Sequence, residues 1–313
     1  WREVFLLISG LLEERSQELW LLIEQQTNVL VREPKLQSLL QWARSLSNKL
    51  QLNNNSRLIL SGLNLVSAIG IANAMASNIP SDVVTASAIA KAGANASVIA
   101  ISSANASNIA RIIDSTSVSD IDNAIDNTKD SISAINMTAN IAVMDVSANI
   151  IDKIANFFTH GNEIKRADII NRIHEIASNI LNTSSEAIIP INASISVKAS
   201  VNAIVIATIF KSDINYKALL NRLEDLTLQI PSKQAEFDKW QGFANQLIET
   251  YLTFFHLDKK LITFSPAEAQ ALEKYLYSVK LIIDCKNAAV RVSRKEWEAI
   301  ESRLLTPQGE GTQ

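Results

Sequence analysis

Three histidines, one cysteine and a run of aspartates are the residues of this sequence that could do chemistry, and their spacing assembles no site. A zinc centre needs ligands at short, repeated spacing, but His160, His174 and His256 stand far from one another and from Cys285. His174 adjoins Glu175 in a helical stretch and reads as one half of a surface pair with it rather than as a metal ligand. Cys285 lies in Ile282-Ile283-Asp284-Cys285-Lys286 near a helix end, with no His close in sequence to serve as a base. A buried structural thiol is therefore expected rather than a nucleophile. Asp114, Asp120, Asp122, Asp126 and Asp130 lack the loop glycine and the bidentate Glu of a calcium hand, so a solvated helix face accounts for them. The eight glycines are scattered, and none opens a phosphate loop or a dinucleotide fingerprint. No catalytic, cofactor-binding or metal-binding residue is expected, and the chain by itself is not expected to be an enzyme.

The elements that would position such residues follow from composition and period. At 313 residues and 47% hydrophobic, with mean hydropathy +0.10, the chain can bury a sizeable core and is not a disordered protein. A net charge of −3 leaves no basic footprint for nucleic acid. A single cysteine forms no internal disulfide, which points to a reducing compartment and a cytoplasmic location. The apolar runs at 63–76 and 201–210 are too short to span a bilayer. Asn95-Ala96-Ser97, Asn105-Ala106-Ser107 and Asn192-Ala193-Ser194 match glycosylation sequons, as an Asn/Ser-rich composition makes unavoidable, and would carry no glycan in that compartment. The sequence opens at Trp1, inside an apolar helical pattern and without Met, so it is expected to be a fragment of a longer protein.

Three zones follow along the chain. Residues 1–50 read as two or three antiparallel amphipathic helices. Phe5, Ile8 and Leu12 share one face, Leu19, Ile23 and Leu30 another, and Leu36, Leu39, Ala43, Leu46 and Leu50 a third after Pro34 at a first helical turn. Leu52-Asn53-Asn54-Asn55-Ser56 reads as a linker.

Residues 57–212 are rich in Ala, Ile, Ser and Asn, have no Trp or Tyr, and carry no Glu before Glu163. Ala76-Ser77-Asn78-Ile79, Ala86-Ser87-Ala88-Ile89, Ala96-Ser97-Val98-Ile99 and Ala106-Ser107-Asn108-Ile109 recur every ten residues. Ten residues on an ideal helix drift by about 80° per repeat, whereas a five-residue coil accepts the spacing directly. Ile79, Val84, Ile89, Ala94, Ile99, Ala104 and Ile109 would fill the centres of such pentads. Stacked helices are the expectation, with a β-solenoid over about 70–115 as the alternative. Chance matches in a biased tract would also produce the pattern. Val118, Ile121, Ile125, Thr128, Ile132 and Ile135 follow helical spacing, as do Ile173, Ile176, Ala177 and Ile180 in a helix opening near Asp168.

Residues 213–307 predict four ordinary helices able to fold without the rest, with a disordered tail at 308–313. Tyr216, Leu219, Leu220, Leu223 and Leu226 form one stripe. Phe237, Trp240, Ala244, Leu247, Ile248, Tyr251 and Phe255 form an aromatic-rich face, read as core or as an inter-domain contact. Ser265-Pro266-Ala267-Glu268 and Ser293-Arg294-Lys295-Glu296 are capping boxes. They introduce Leu272, Leu276, Val279 and Ile283, then Trp297, Ile300 and Leu304.

Two segments carry a family resemblance. Trp1-Arg2-Glu3-Val4-Phe5-Leu6-Leu7-Ile8-Ser9-Gly10-Leu11-Leu12 resembles the segment that follows the winged-helix part of NACHT-type signal-transduction NTPases. Tyr277-Ser278-Val279-Lys280-Leu281-Ile282-Ile283-Asp284-Cys285, continued by Val292-Ser293-Arg294 and by Ile300-Glu301-Ser302-Arg303-Leu304-Leu305-Thr306-Pro307, is similar to the carboxy-terminal helical domain of bacterial, especially cyanobacterial, NACHT proteins. The resemblance implies a non-catalytic sensor or autoregulatory region whose partner is an intramolecular NACHT module upstream of Trp1, in bacterial antiviral defence. An invader-derived protein is the implied trigger. A structural repeat scaffold and a membrane-active helical protein are the other two functions compatible with the composition.

Overall fold

The computed structural model describes residues 1–48, 54–77, 83–103, 164–189, 193, 196–201, 203–204 and 215–307. Among these residues every regular element is helical, as expected. The helices are α1 (Arg2–Leu11), α2 (Ser16–Leu30), α3 (Pro34–Asn48), α4 (Asn54–Ser77), α5 (Val83–Ser103) and α6 (Ile164–Glu186). They continue as α7 (Tyr216–Thr227), α8 (Phe237–Phe254), the four-residue α9 (Lys259–Ile262), α10 (Pro266–Ala288) and α11 (Arg294–Glu301).

Pro34 opens α3, where its missing N–H costs nothing, and Leu36, Leu39, Leu40 and Ala43 are buried on one face. In α2 the buried line is Trp20, Glu24 and Thr27, with Leu19, Ile23 and Leu30 flanking it half-buried. Helix α1 departs from expectation. Ser9 is its buried residue, Phe5 and Leu12 are half-buried, and Ile8 faces outward. The helix turns its small side inward because Gly10 and Ser9 let it approach α10 closely: a Cβ on Gly10 would lie 3.4 Å from the Ala288 carbonyl oxygen.

The β-solenoid alternative is overturned over 70–77 and 83–103, which are helix; the rest of 70–115 lies outside the described residues. Among the described helices the ten-residue repeat falls mainly in α5, where exposed Val84, Ser87 and Lys91 line one side, whereas α4 has no single apolar face. From Leu58 to Ile69 every residue is buried, and a helix buried all round shows little helical period. The two helices pack against each other, Gly62 against Ala100 at 3.2 Å from its would-be Cβ. Several of their polar residues are satisfied within the helices or by a neighbour. Ser67 Oγ donates to the Leu63 carbonyl and Ser97 Oγ to that of Gly93, while Asn64 Nδ2 donates to the Ala43 carbonyl. The expected linker is also partly helix: Asn54, Asn55 and Ser56 open α4, held by Asn55 Nδ2 donating to Glu301 Oε1 at 2.8 Å.

Helix α6 buries Ile173, Ile176, Ala177 and Ile180, as its spacing predicts. The stripes at 118–135, the Asp series, Leu50, His160 and the tail at 308–313 lie outside the described residues.

The carboxy-terminal helices follow their sequence signals closely. Leu219, Leu223 and Leu226 are buried on α7, and Trp240, Ala244, Leu247, Ile248 and Tyr251 on α8, with Phe255 just beyond it; Phe237 is exposed. The box before α10 forms in both directions: Glu268 N–H donates to Ser265 Oγ, and Ser265 N–H to Glu268 Oε2 at 2.7 Å. At α11 the serine half forms, and Glu296 Oε1 instead accepts from Gln17 Nε2 at 2.9 Å. Helix α10 packs on α5, α2 and α1, and α11 on α4 and α2, so the two ends of the chain share one hydrophobic core.

Candidate functional site

The residues that could do chemistry are kept apart. Cys285 is buried on α10, and burial, then the neighbouring Asp284 charge, push its thiol up to about 11, so it carries no reactive thiolate at neutral pH. His174 is half-buried on α6, its Nε2 3.4 Å from Ser178 Oγ. Glu175 pairs with Arg172 instead, one helical turn back, because adjacent residues on a helix do not face each other. His256 is exposed, in a left-handed conformation that ends α8. Among the described residues no group of His, Cys, Asp or Glu could hold a metal ion. Ala96 and Ser97 of one sequon are buried in α5. No helix of the described residues is long and apolar enough to cross a membrane.

What the fold does bring together is a polar seam between the amino-terminal and carboxy-terminal helices. Its centre is buried. Ser9 Oγ donates to the Cys285 carbonyl at 2.7 Å and accepts from Trp20 Nε1 at 3.1 Å, while Ser16 Oγ donates to the Ser9 carbonyl at 2.8 Å. Three helices, α1, α2 and α10, are thereby tied by one small hydroxyl. Beside it Arg2 Nε and Lys280 Nζ both reach Asp284 Oδ2 at 2.9 Å.

Further along, Arg303 grips Glu24 with two parallel bonds, Nε to Oε1 at 2.7 Å and Nη2 to Oε2 at 2.8 Å. The hydrogen bond to Glu24 raises the already high pKa of this guanidinium. Glu24 is buried, so the bidentate pair supplies the partner that an interior carboxylate requires. Arg44 donates to the Ser302 carbonyl and to Thr306 Oγ1, anchoring the turn that follows α11. Lys35 Nζ reaches the Thr263 carbonyl and Glu268 Oε2. Burial alone would raise the Glu268 carboxyl, but the Ser265 N–H, the Lys35 ammonium and the Ser265 hydroxyl together hold it below its ordinary value.

Glu301 behaves oppositely. Its carboxyl is pushed above its ordinary value by burial, although Asn55 and Trp297 donate to it. Trp297 stands edge-on to Trp20 with ring centroids 5.9 Å apart, and Lys286 Nζ lies 5.4 Å from its centroid. A shallow dip beside this cluster is lined by Arg44, Asn54, Arg57 and Glu301. The seam therefore holds the amino-terminal and carboxy-terminal helices in register.

Sequence reasoning found the segments that meet here but not the pairs. Ser9 and Asp284 lie within the two stretches that carry the family resemblance, yet nothing in either announces that Ser9 meets Cys285 or that Asp284 meets Arg2. Glu24 did leave a signal. It sits on the line Trp20, Glu24, Thr27 and Val31, and an acid on a buried face demands a cation.

No curated protein and no solved structure matches this chain. Residues 219–307 match the family described as NACHT C-terminal Helical domain 2. They contain α8 to α11 and most of α7, together with the carboxy-terminal partners of the seam from Phe255 to Thr306. This part of the chain is a NACHT-family C-terminal helical region.

Proposed function

We propose that the chain is the non-catalytic sensor and autoregulatory region of a NACHT-type NTPase that acts in bacterial antiviral defence, in the cytoplasm. The observation that carries this reading is the family match at 219–307. The seam supports it. Helices α10 and α11 are locked to α1, α2 and α4 through buried polar pairs, so a load on one end is borne by the other. On this reading the NTPase module is the intramolecular partner and an invader-derived protein the trigger. The region restrains the module until the trigger binds one of its two states better than the other, which is the condition for any ligand to shift a conformational equilibrium.

The test removes residues 1–313 from the full-length protein at matched expression. Basal nucleotide turnover is expected to rise, and phage protection to lose its dependence on the trigger. Unchanged turnover and unchanged phage range would replace this reading with a structural scaffold, for which the all-round burial of α4 from Leu58 to Ile69 is suited. The chain alone is expected to show no saturable ATP binding by calorimetry.

A further inference from the structure

We draw no further inference here: the strongest candidate, the exposed apolar side of α1 formed by Val4, Leu7, Ile8 and Leu11, is an unpartnered face, and nothing in the structure shows what covers it.

Discussion

Helices α4 and α5 and helices α8 and α10 are stabilised by opposite means. The first pair is rich in small and aliphatic residues, has α4 buried on every side from Leu58 to Ile69, and fits by close backbone approach, as at Gly62 and Ala100. The second pair carries large aromatic residues on a defined face and a complete capping box. Volume and caps leave a mark in sequence, because both occupy fixed positions relative to the helix period. Close approach does not, since an alanine buried between helices and an alanine in a loop are written alike. Helix α10 nevertheless packs on α5, α2 and α1, so the carboxy-terminal helices share their core with the rest of the described residues.

The strongest test of that comparison separates the regions. Residues 213–307 expressed alone are expected to retain helix in the far-ultraviolet spectrum but to melt gradually. Leu272, Leu276, Val279 and Ile283 are buried on α10, and the helices it packs on would be missing. A sharp cooperative melt, which the amphipathic patterns and caps suggest on their own, would show that the shared core is dispensable to the carboxy-terminal region.

Next in size is Trp240→Ala. The indole is fully buried on α8, edge-on to Phe243 at 6.0 Å, and its removal is expected to cost about 3–5 kcal/mol in urea unfolding. A loss below about 0.5 kcal/mol would mean that the aromatic face is replaceable.

Two glycines sharpen the comparison, one in each region. Gly62 lies in the α4–α5 contact, where a Cβ would already crowd Ala100, so Gly62→Leu is expected to destabilise by about 1–3 kcal/mol through overpacking. Gly242 lies inside α8 with open space around its would-be Cβ. Gly242→Ala is therefore expected to stabilise by about 0.5–1 kcal/mol through backbone entropy and helix propensity. Equal effects of the same sign at both sites would remove the distinction between the regions.

The same distinction explains how much was legible beforehand. Pro34, Ser265-Pro266 and the leucines of α7 declared their helices because each acts within one turn of its own backbone. The rotation of α1 was hidden. Its apolar residues predicted an inward face through Ile8, and the structure turns Ser9 and Gly10 inward because contact with α10 and Trp20 is made by a hydroxyl and a missing side chain. The repeat in 57–212 was real as a spacing and uninformative as a fold, since the exposed side of α5, at Val84 and Ser87, is written in the same small and β-branched residues as its buried side. The seam was hidden for another reason: ion pairs such as Glu24–Arg303 join residues 279 positions apart, and a local pattern carries no such information.

The smallest effect concerns the two carboxylates of the seam, whose shifts have opposite signs. Glu268 is held below its ordinary value of 4.5, so it contributes stability that is present above that pH and lost as pH falls through its folded value. Glu301 is held above 4.5 by burial, so the folded protein binds its proton more tightly than the unfolded chain does. Its contribution is present in full below 4.5 and is lost as pH rises through its raised folded value. Glu301→Gln keeps an oxygen to accept from Asn55 Nδ2 and Trp297 Nε1 and removes the ionisation. The variant is therefore expected to match the parent sequence at about pH 4 and to exceed it at about pH 8, the difference growing as pH rises from 4.5 through the raised folded value and staying constant above it. Urea unfolding of both proteins across that range measures it, with the Glu268 contribution cancelling because it is common to both. A variant less stable at about pH 8 would mean that the Glu301 charge is compensated by its donors and by Lys286, and that burial does not dominate at this end of the seam.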